Sequence, residues 1–256
     1  MRQLFLQVKG GFTNRLRAIV SAVLWAEDLD CELTLYWPVE PGYMPCELDE
    51  LIERNSIPRL KDVQHTYLHS AIDVLNPETI KNIIEYSNQD ISIKSDSEFH
   101  PQQRTSRGLI LLRGLRVKED LEHEADRLWK LLGGKSSWLG VHYRGIDYAN
   151  PVEYFFPYLN NEKEGCFLVT DDIHVKNMFV ERYTIRTINS DVGRHTPLQQ
   201  KHSVIEWLLL HKCGRVLQSV GSSYSELVTL RSGGTLIRVY TSSVAISPIT
   251  SVTQDK

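Results

Sequence analysis

A chain of 256 residues that is 41% hydrophobic and 24% charged, with a formal net charge of −3, holds enough apolar material for one large domain or two ordinary ones. It lacks the basic excess of a nucleic-acid-binding surface, and no run approaches the length of a membrane span. The opening apolar run is too short for a secretory leader, and Cys31, Cys46, Cys166 and Cys213 form no CxxC pair, so a cytoplasmic protein with reduced thiols and no zinc site is expected.

The first unit reads strand, glycine turn, helix. Leu4–Val8 is apolar, Gly10 and Gly11 make a turn, and Leu16, Ile19, Val20, Val23 and Leu24 recur at helical spacing, with Thr13 or Asn14 as the N-cap. A second strand, Glu32–Trp37, stops at Pro38 and completes a βαβ unit with a right-handed crossover. The turn matches neither GxGxxG nor a Walker loop, so its glycines are weak evidence by themselves, although a helix N-terminus there favours anions. Up to Gln103 the pattern is less regular, with short helices expected at Leu48–Ile52 and Asn76–Ile84 and a polar loop over Ser92–Arg107. Leu109–Leu112 reads as a buried strand, and a helix follows to about Leu132. Gly133 to Ser137 then reads as the linker, which sets an N-terminal domain at residues 1–134 and a C-terminal domain at 135–256.

The second half opens on a short apolar strand from Trp138 that ends in His142, Arg144, Gly145 and Asp147. In open α/β sheets ligands collect beyond the carboxyl ends of strands, and a guanidinium there is a planar fork of donors suited to a diphosphate. The same residues also read as a surface turn with a local Arg144–Asp147 ion pair. A helix begins near Pro151–Phe156, and the buried strand Gly165–Thr170 runs into Asp171 and Asp172, which either cap the next helix or hold a ligand or metal. A short strand at Ile185–Ile188 is followed by a helix over Gln199–Lys212 that sets Glu206 among apolar residues. The strand Arg215–Val220 leads into Gly221-Ser222-Ser223-Tyr224-Ser225, where hydroxyls and backbone amides at a helix start form a second anion cradle. The last strand, Thr235–Tyr240, precedes a tail rich in Ser, Thr and Pro.

The order of these motifs resembles the GDP-fucose-dependent fucosyltransferase superfamily: the nodulation and core α1,6-enzymes, the protein O-fucosyltransferases and, more distantly, the α1,2-enzymes. Gly10-Gly11-Phe12-Thr13-Asn14-Arg15 resembles its glycine-asparagine turn, and Val141–Asp147 its His-x-Arg-Arg-x-Asp signature. Phe167–Asp172 resembles its apolar-Thr-Asp-Asp strand end, and Glu206–Cys213 with Gly221–Ser225 its acid-bearing helix and serine-rich turn. The resemblance implies an α/β, GT-B-like fold of two Rossmann-type domains facing a cleft, with the nucleotide held mainly by the C-terminal one. It implies that Arg144 neutralises the β-phosphate as the leaving group departs, that His142 and Glu206 contact base or ribose, and that Ser222 and Ser223 donate to phosphate. Tyr224, Ser225, Asp171 and Asp172 belong to the same binding set, and Gly11, Asn14 and Arg15 line the site from the other domain.

The implied function is a metal-independent inverting glycosyltransferase that moves fucose from GDP-fucose to a glycan acceptor, with no cofactor and no nucleic-acid partner. Phosphate charge grows as the glycosidic bond breaks, so a prepositioned guanidinium stabilises the transition state more than the ground state and can stand in for a metal. Inverting transfer also needs a base near the acceptor hydroxyl, for which Glu153 and Asp147 are the nearest candidates. Two departures stand out: Gly145 replaces the signature's second arginine, and the chain is shorter than most members. The alternatives are another nucleotide-sugar donor on the same fold, a non-catalytic nucleotide-sugar-binding protein, for which Gly145 argues, or a metal-dependent hydrolase on Asp171 and Asp172, for which no histidine or acid cluster completes a coordination shell.

Overall fold

β1 (Gln3–Val8) runs into Gly10, whose φ of +76° turns the chain, and α1 (Phe12–Asp28) follows. Gly11 takes the N-cap rather than Thr13 or Asn14. The turn closes tightly on the helix, since a Cβ on Gly10 would lie 2.9 Å from the Asn14 side-chain amide. This computed structural model describes residues 2–69, 71–73, 80–83, 89–145, 151–188, 195–219 and 221–239.

The chain divides into two compact units, Met1–Lys118 with Arg194–Gln200, and Glu119–Gly193 with Lys201–Lys256. In the first, β1 is joined by β2 (Glu32–Tyr36), β3 (Leu60–Gln64), β4 (Ile72–Asp73) and β5 (Ile91–Ser95) in the order β3-β2-β1-β5-β4, with every pairing parallel. α1 is buried along nearly its whole length. Ser21 at its middle accepts from the backbone N–H groups of Phe99 and His100 and bonds Gln103, so the loop after β5 is tied down onto the helix.

Several expectations are corrected here. The polar stretch expected from Ser92 opens as β5, whose Ile91 and Ile93 are buried while Ser92 and Lys94, alternating with them, are half-buried. Leu109–Leu112 lies in a helix, α2 (Ser106–Gly114), in which Leu109 and Leu112 are buried and Ile110 is exposed. A run of four apolar residues fits either element, and here only one helical face is covered. Leu48–Glu50 is a single 3-10 turn, and the helix expected over Asn76–Ile84 lies outside the described residues except for residues 80–83.

Gly108 in α2 sits where a Cβ would fall 2.0 Å from the Gln103 carbonyl oxygen. Gly-to-Ala in a helix interior ordinarily gains close to 1 kcal/mol, but overpacking against backbone costs about 1–3 kcal/mol. Gly108→Ala is therefore expected to lower the urea midpoint of unfolding.

In the second unit, α3 (Glu119–Leu132) is followed by β6 (Leu139–Tyr143), α4 (Phe156–Asn160), β7 (Cys166–Thr170), α5 (Ile173–Arg182) and β8 (Ile185–Arg186). The long helix α6 (Pro197–His211) begins in the residues grouped with the first unit; after it come β9 (Arg215–Ser219), α7 (Ser223–Ser232) and β10 (Thr235–Val239). The sheet is again parallel, in the order β10-β9-β6-β7-β8. The helix start expected at Pro151 is a 3-10 turn, Val152–Phe155, that passes straight into α4. One sheet face packs Leu139, Val141 and Tyr143 of β6 with Phe155, Leu159, Val175 and Phe179. On the other face α6 comes close enough that a Cβ on Gly140 would meet Leu210 at 2.9 Å.

The boundary read at Gly134 differs from this division, which falls between Lys118 and Glu119. α3 belongs to the second unit through Trp129, whose ring lies 5.4 Å from that of Trp138 and 6.4 Å from that of Phe167, and through an Asp126–Lys212 ion pair. Gly133, at φ +70°, closes the helix with Gly134 N–H donating to the Trp129 carbonyl, so the glycine pair is a helix terminus.

His211, at the end of α6, donates from Nδ1 to the Trp207 carbonyl, and its buried Nε2 has no partner among the described residues. Burial, reinforced by the Arg231 guanidinium, pushes its pKa down to about 3. In the unfolded chain the ring titrates near the ordinary value of about 6.5, so between these values the unfolded state binds more protons. Stability is expected to fall as pH drops from about 6.5 towards 3, with a shallower slope in His211→Gln, as read by urea midpoints across that range. His100, whose pKa burial also lowers, contributes a slope of the same sign that the variant retains.

Candidate functional site

β6 is the first strand of the second unit; the chain proceeds from it to β7 and β8 on one side and returns to β9 and β10 on the other. The carboxyl ends of β6 and β9 therefore flank a topological switch point, where open α/β sheets bind ligands. His142, Tyr143 and Arg144 come off β6 there, with Gln218 and Ser219 at the end of β9.

Arg144 is held from both neighbouring strands. Its backbone N–H donates to Ser219 Oγ at 3.1 Å, and the next amide, Gly145 N–H, donates to Asp171 Oδ1 at 2.8 Å. The other oxygen of Asp171 lies 3.8 Å from Arg144 Nε. Asp172 accepts from the N–H groups of His174 and Val175 and caps α5. Both acids thus have local partners, one steadying the Arg144 turn and the other starting a helix. Among the described residues, no group of three or more His, Cys, Asp or Glu side chains is placed to hold a metal ion.

A Cβ on Gly145 would lie 2.9 Å from both Cβ and Oδ2 of Asp172. The space into which a side chain at position 145 would begin is occupied by the cap of α5. A second arginine does not fit here while Asp172 stays where it is.

Ser222 is the N-cap residue of α7, and its own side chain makes no capping bond. Its hydroxyl lies 3.3 Å from His142 Nδ1, and Ser225 Oγ lies 3.0 Å from the same nitrogen. Tyr224 sets its ring 4.8 Å from the imidazole, donates from its hydroxyl to the Ser203 carbonyl, and accepts at its own carbonyl from Trp207 Nε1. These bonds hold the serine turn against α6, which carries half-buried Glu206. Ser223 is half-buried in the first turn of α7.

In the first unit, Gly11 and half-buried Asn14 lie in the turn that starts α1. Arg15 is turned inward, with no exposed side-chain area. Its Nε donates to the Gly10 carbonyl at 2.9 Å, one terminal nitrogen to the Pro38 carbonyl at 2.8 Å, and the other to Glu40 at 3.0 Å. The guanidinium carbon lies 4.6 Å over Trp37, and burial pushes the pKa down to about 10. This corrects the ligand-contacting role implied for Arg15: the side chain buttresses the glycine turn.

Of the two base candidates, Asp147 lies outside the described residues. Glu153 is exposed on the 3-10 turn after β6, and its carboxylate helps raise the Tyr143 pKa, behind burial and Asp172. It opens onto a cavity of about 420 Å³ lined also by Tyr154, Pro157, Tyr158, Ile237 and Val239. Two site residues escaped the sequence reading. Ser219 ends an apolar strand on a polar group, the same signal that marked His142 and Arg144, whereas Gln218 is identified only by strand register, which pairs it with His142.

The sequence matches no protein-family model and no curated protein. The fold does find counterparts. The fucosyltransferase NodZ from Bradyrhizobium superposes with a TM-score of 0.70 over 96% of this chain and 97% of its own, at 13% identity. Arabidopsis thaliana FUT1, solved as a variant with GDP, gives 0.62 over 94% and 70% at 12% identity, and POFUT1 with GDP-fucose gives 0.57 over 89% and 93% at 10%. The fold is thus the GT-B-like one of GDP-fucose fucosyltransferases, built on two parallel Rossmann-type sheets. No helix among the described residues is long and apolar enough to cross a membrane.

Proposed function

We propose that this protein is a glycosyltransferase that transfers fucose from GDP-fucose to a glycan acceptor, with inversion and without a metal. The observation that carries the reading is Arg144, a guanidinium at the switch point beside the start of α7, steadied by Ser219 and Asp171. A diphosphate leaving group needs such a cation together with oriented amides, and the fold's counterparts, solved with GDP or GDP-fucose, favour the same donor. In this reading Arg144 meets the β-phosphate, Ser222, Ser223 and the α7 amides meet phosphate oxygens, and His142 with Glu206 meets ribose or base. Asp171 and Ser225 act by holding Arg144 and His142, Tyr224 packs beside the imidazole, and Asp172 keeps its cap. Gly11 and Asn14 stay as contacts from the glycine turn, and Arg15 is left out. Glu153 or Asp147 serves as base. A cytoplasmic location goes with the reading, since four buried thiols suit a reducing compartment.

A second reading, a nucleotide-sugar-binding protein without transfer activity, is favoured by Gly145, which leaves Arg144 without the second cation of the signature. Thermal shift against GDP, UDP, CMP and ADP, with and without divalent cation, tests both. Ligand at a hundred times its Kd adds about 2.7 kcal/mol of stability. Stabilisation by GDP alone, unchanged by chelator, is the expected result. Release of fucose from GDP-fucose in the absence of acceptor then separates enzyme from binder, and no response to any nucleotide overturns both.

A further inference from the structure

His142 and Gln218 face each other in register across β6 and β9, so both side chains project to the sheet face on which α7 lies. Both are buried, as are Ser222 and Ser225, with relative exposures of 5% for His142, 1% for Gln218 and none for Ser225. Ser225 Oγ donates to Gln218 Oε1. A hydroxyl has one proton, and here it is committed to the amide oxygen. Towards His142 Nδ1, at 3.0 Å, Ser225 can then only accept, while Ser222 Oγ lies farther off, at 3.3 Å, with a hydroxyl that can give or take a proton. The shorter contact, to an oxygen that can only accept, favours the hydrogen on Nδ1.

We infer that Gln218 is a positioning residue that, through Ser225, fixes His142 as the Nδ1–H tautomer and so makes Nε2 its hydrogen-bond acceptor. This deepens the proposed function and rests on it in one respect: the nucleotide group that His142 recognises is then a donor, a ribose hydroxyl or a base N–H. The arrangement orients without touching substrate, since Gln218 acts one residue removed through a serine on the opposite element. An apolar residue at position 218 would release the Ser225 proton to point at Nδ1 and turn the ring into a donor at Nε2, facing a donor on the ligand.

The test is a long-range proton–nitrogen correlation spectrum of the imidazoles in the full chain, with the His142 signals assigned by their loss in His142→Phe. In the native protein the His142 signals are expected to show a protonated Nδ1 and an unprotonated Nε2. Gln218→Leu is expected to move the ring to the Nε2–H form and weaken GDP binding by about tenfold, the size of one hydrogen bond. Gln218→Glu keeps an acceptor at the same place and is expected to restore both the native ring signals and the native affinity, which a purely structural role for Gln218 does not predict. A native ring protonated at Nε2, or ring signals unchanged in Gln218→Leu, overturns the inference. If the ring behaves as described but GDP does not bind the native chain, the tautomer lock stands and the nucleotide reading fails.

Discussion

Arg144→Ala is expected to lower the rate of fucose release from GDP-fucose a hundred- to a thousand-fold while leaving the thermal midpoint close to native. Fold and function separate at this residue because its backbone N–H makes the bond to Ser219 and the Gly145 amide makes the bond to Asp171, so the strand end keeps its anchors when the side chain is removed. In the proposed reaction, what is lost is a cation at the place where the leaving diphosphate gains charge, and one such preorganised donor is worth about 2.7–4 kcal/mol in the transition state. Arg144→Lys is expected to recover only part of the rate, since an ammonium supplies charge without the two-pronged geometry of a guanidinium. Turnover of GDP-fucose without acceptor is the measurement, because it needs no knowledge of the glycan. An unaltered rate in Arg144→Ala would return this residue to a structural turn.

Arg15→Met is expected to destabilise the first unit by roughly 3–5 kcal/mol, the usual consequence of removing one partner from a buried charged network. The Gly10 and Pro38 carbonyls lose their donors, Glu40 loses its cation, and the methionine side chain fills the space over Trp37 without bonding any of them. Arg15→Lys is expected to fall between, because one ammonium cannot reach three acceptors arranged around a planar fork. Urea unfolding followed by tryptophan fluorescence reads the difference directly. Loss of nucleotide affinity in Arg15→Lys at temperatures where it stays folded would instead revive a contact role.

Much of the second sheet was legible because each buried strand ends abruptly on polar residues, as at His142 and Asp171, and because the helices between repeat at a clear period. β5 was not, since only Ile91 and Ile93 mark it and Ser92, Lys94 and Ser95 beside them are polar enough for a loop. The Leu109–Leu112 run reads as a strand because composition alone does not say whether alternate or every third residue will be covered. Arg15 shows a different limit. Following a glycine turn, it reads like a ligand-binding arginine, and only the fold brings Pro38 and Glu40 to its guanidinium from 23 and 25 residues away. Gln218 carries no local pattern at all; its importance comes from register, which is a property of two strands together.

The close approach of Asp172 to Gly145 couples the turn after β6 to the start of α5. A side chain introduced at position 145 meets both the Cβ and a carboxylate oxygen of Asp172, so it is accommodated only if the first turn of α5 shifts, which puts one helix cap, about 1 kcal/mol, at stake. Where a second arginine and a capping acid occur together, the start of the helix must therefore sit farther from the turn than it does here, so the turn and the first turn of α5 move as one unit.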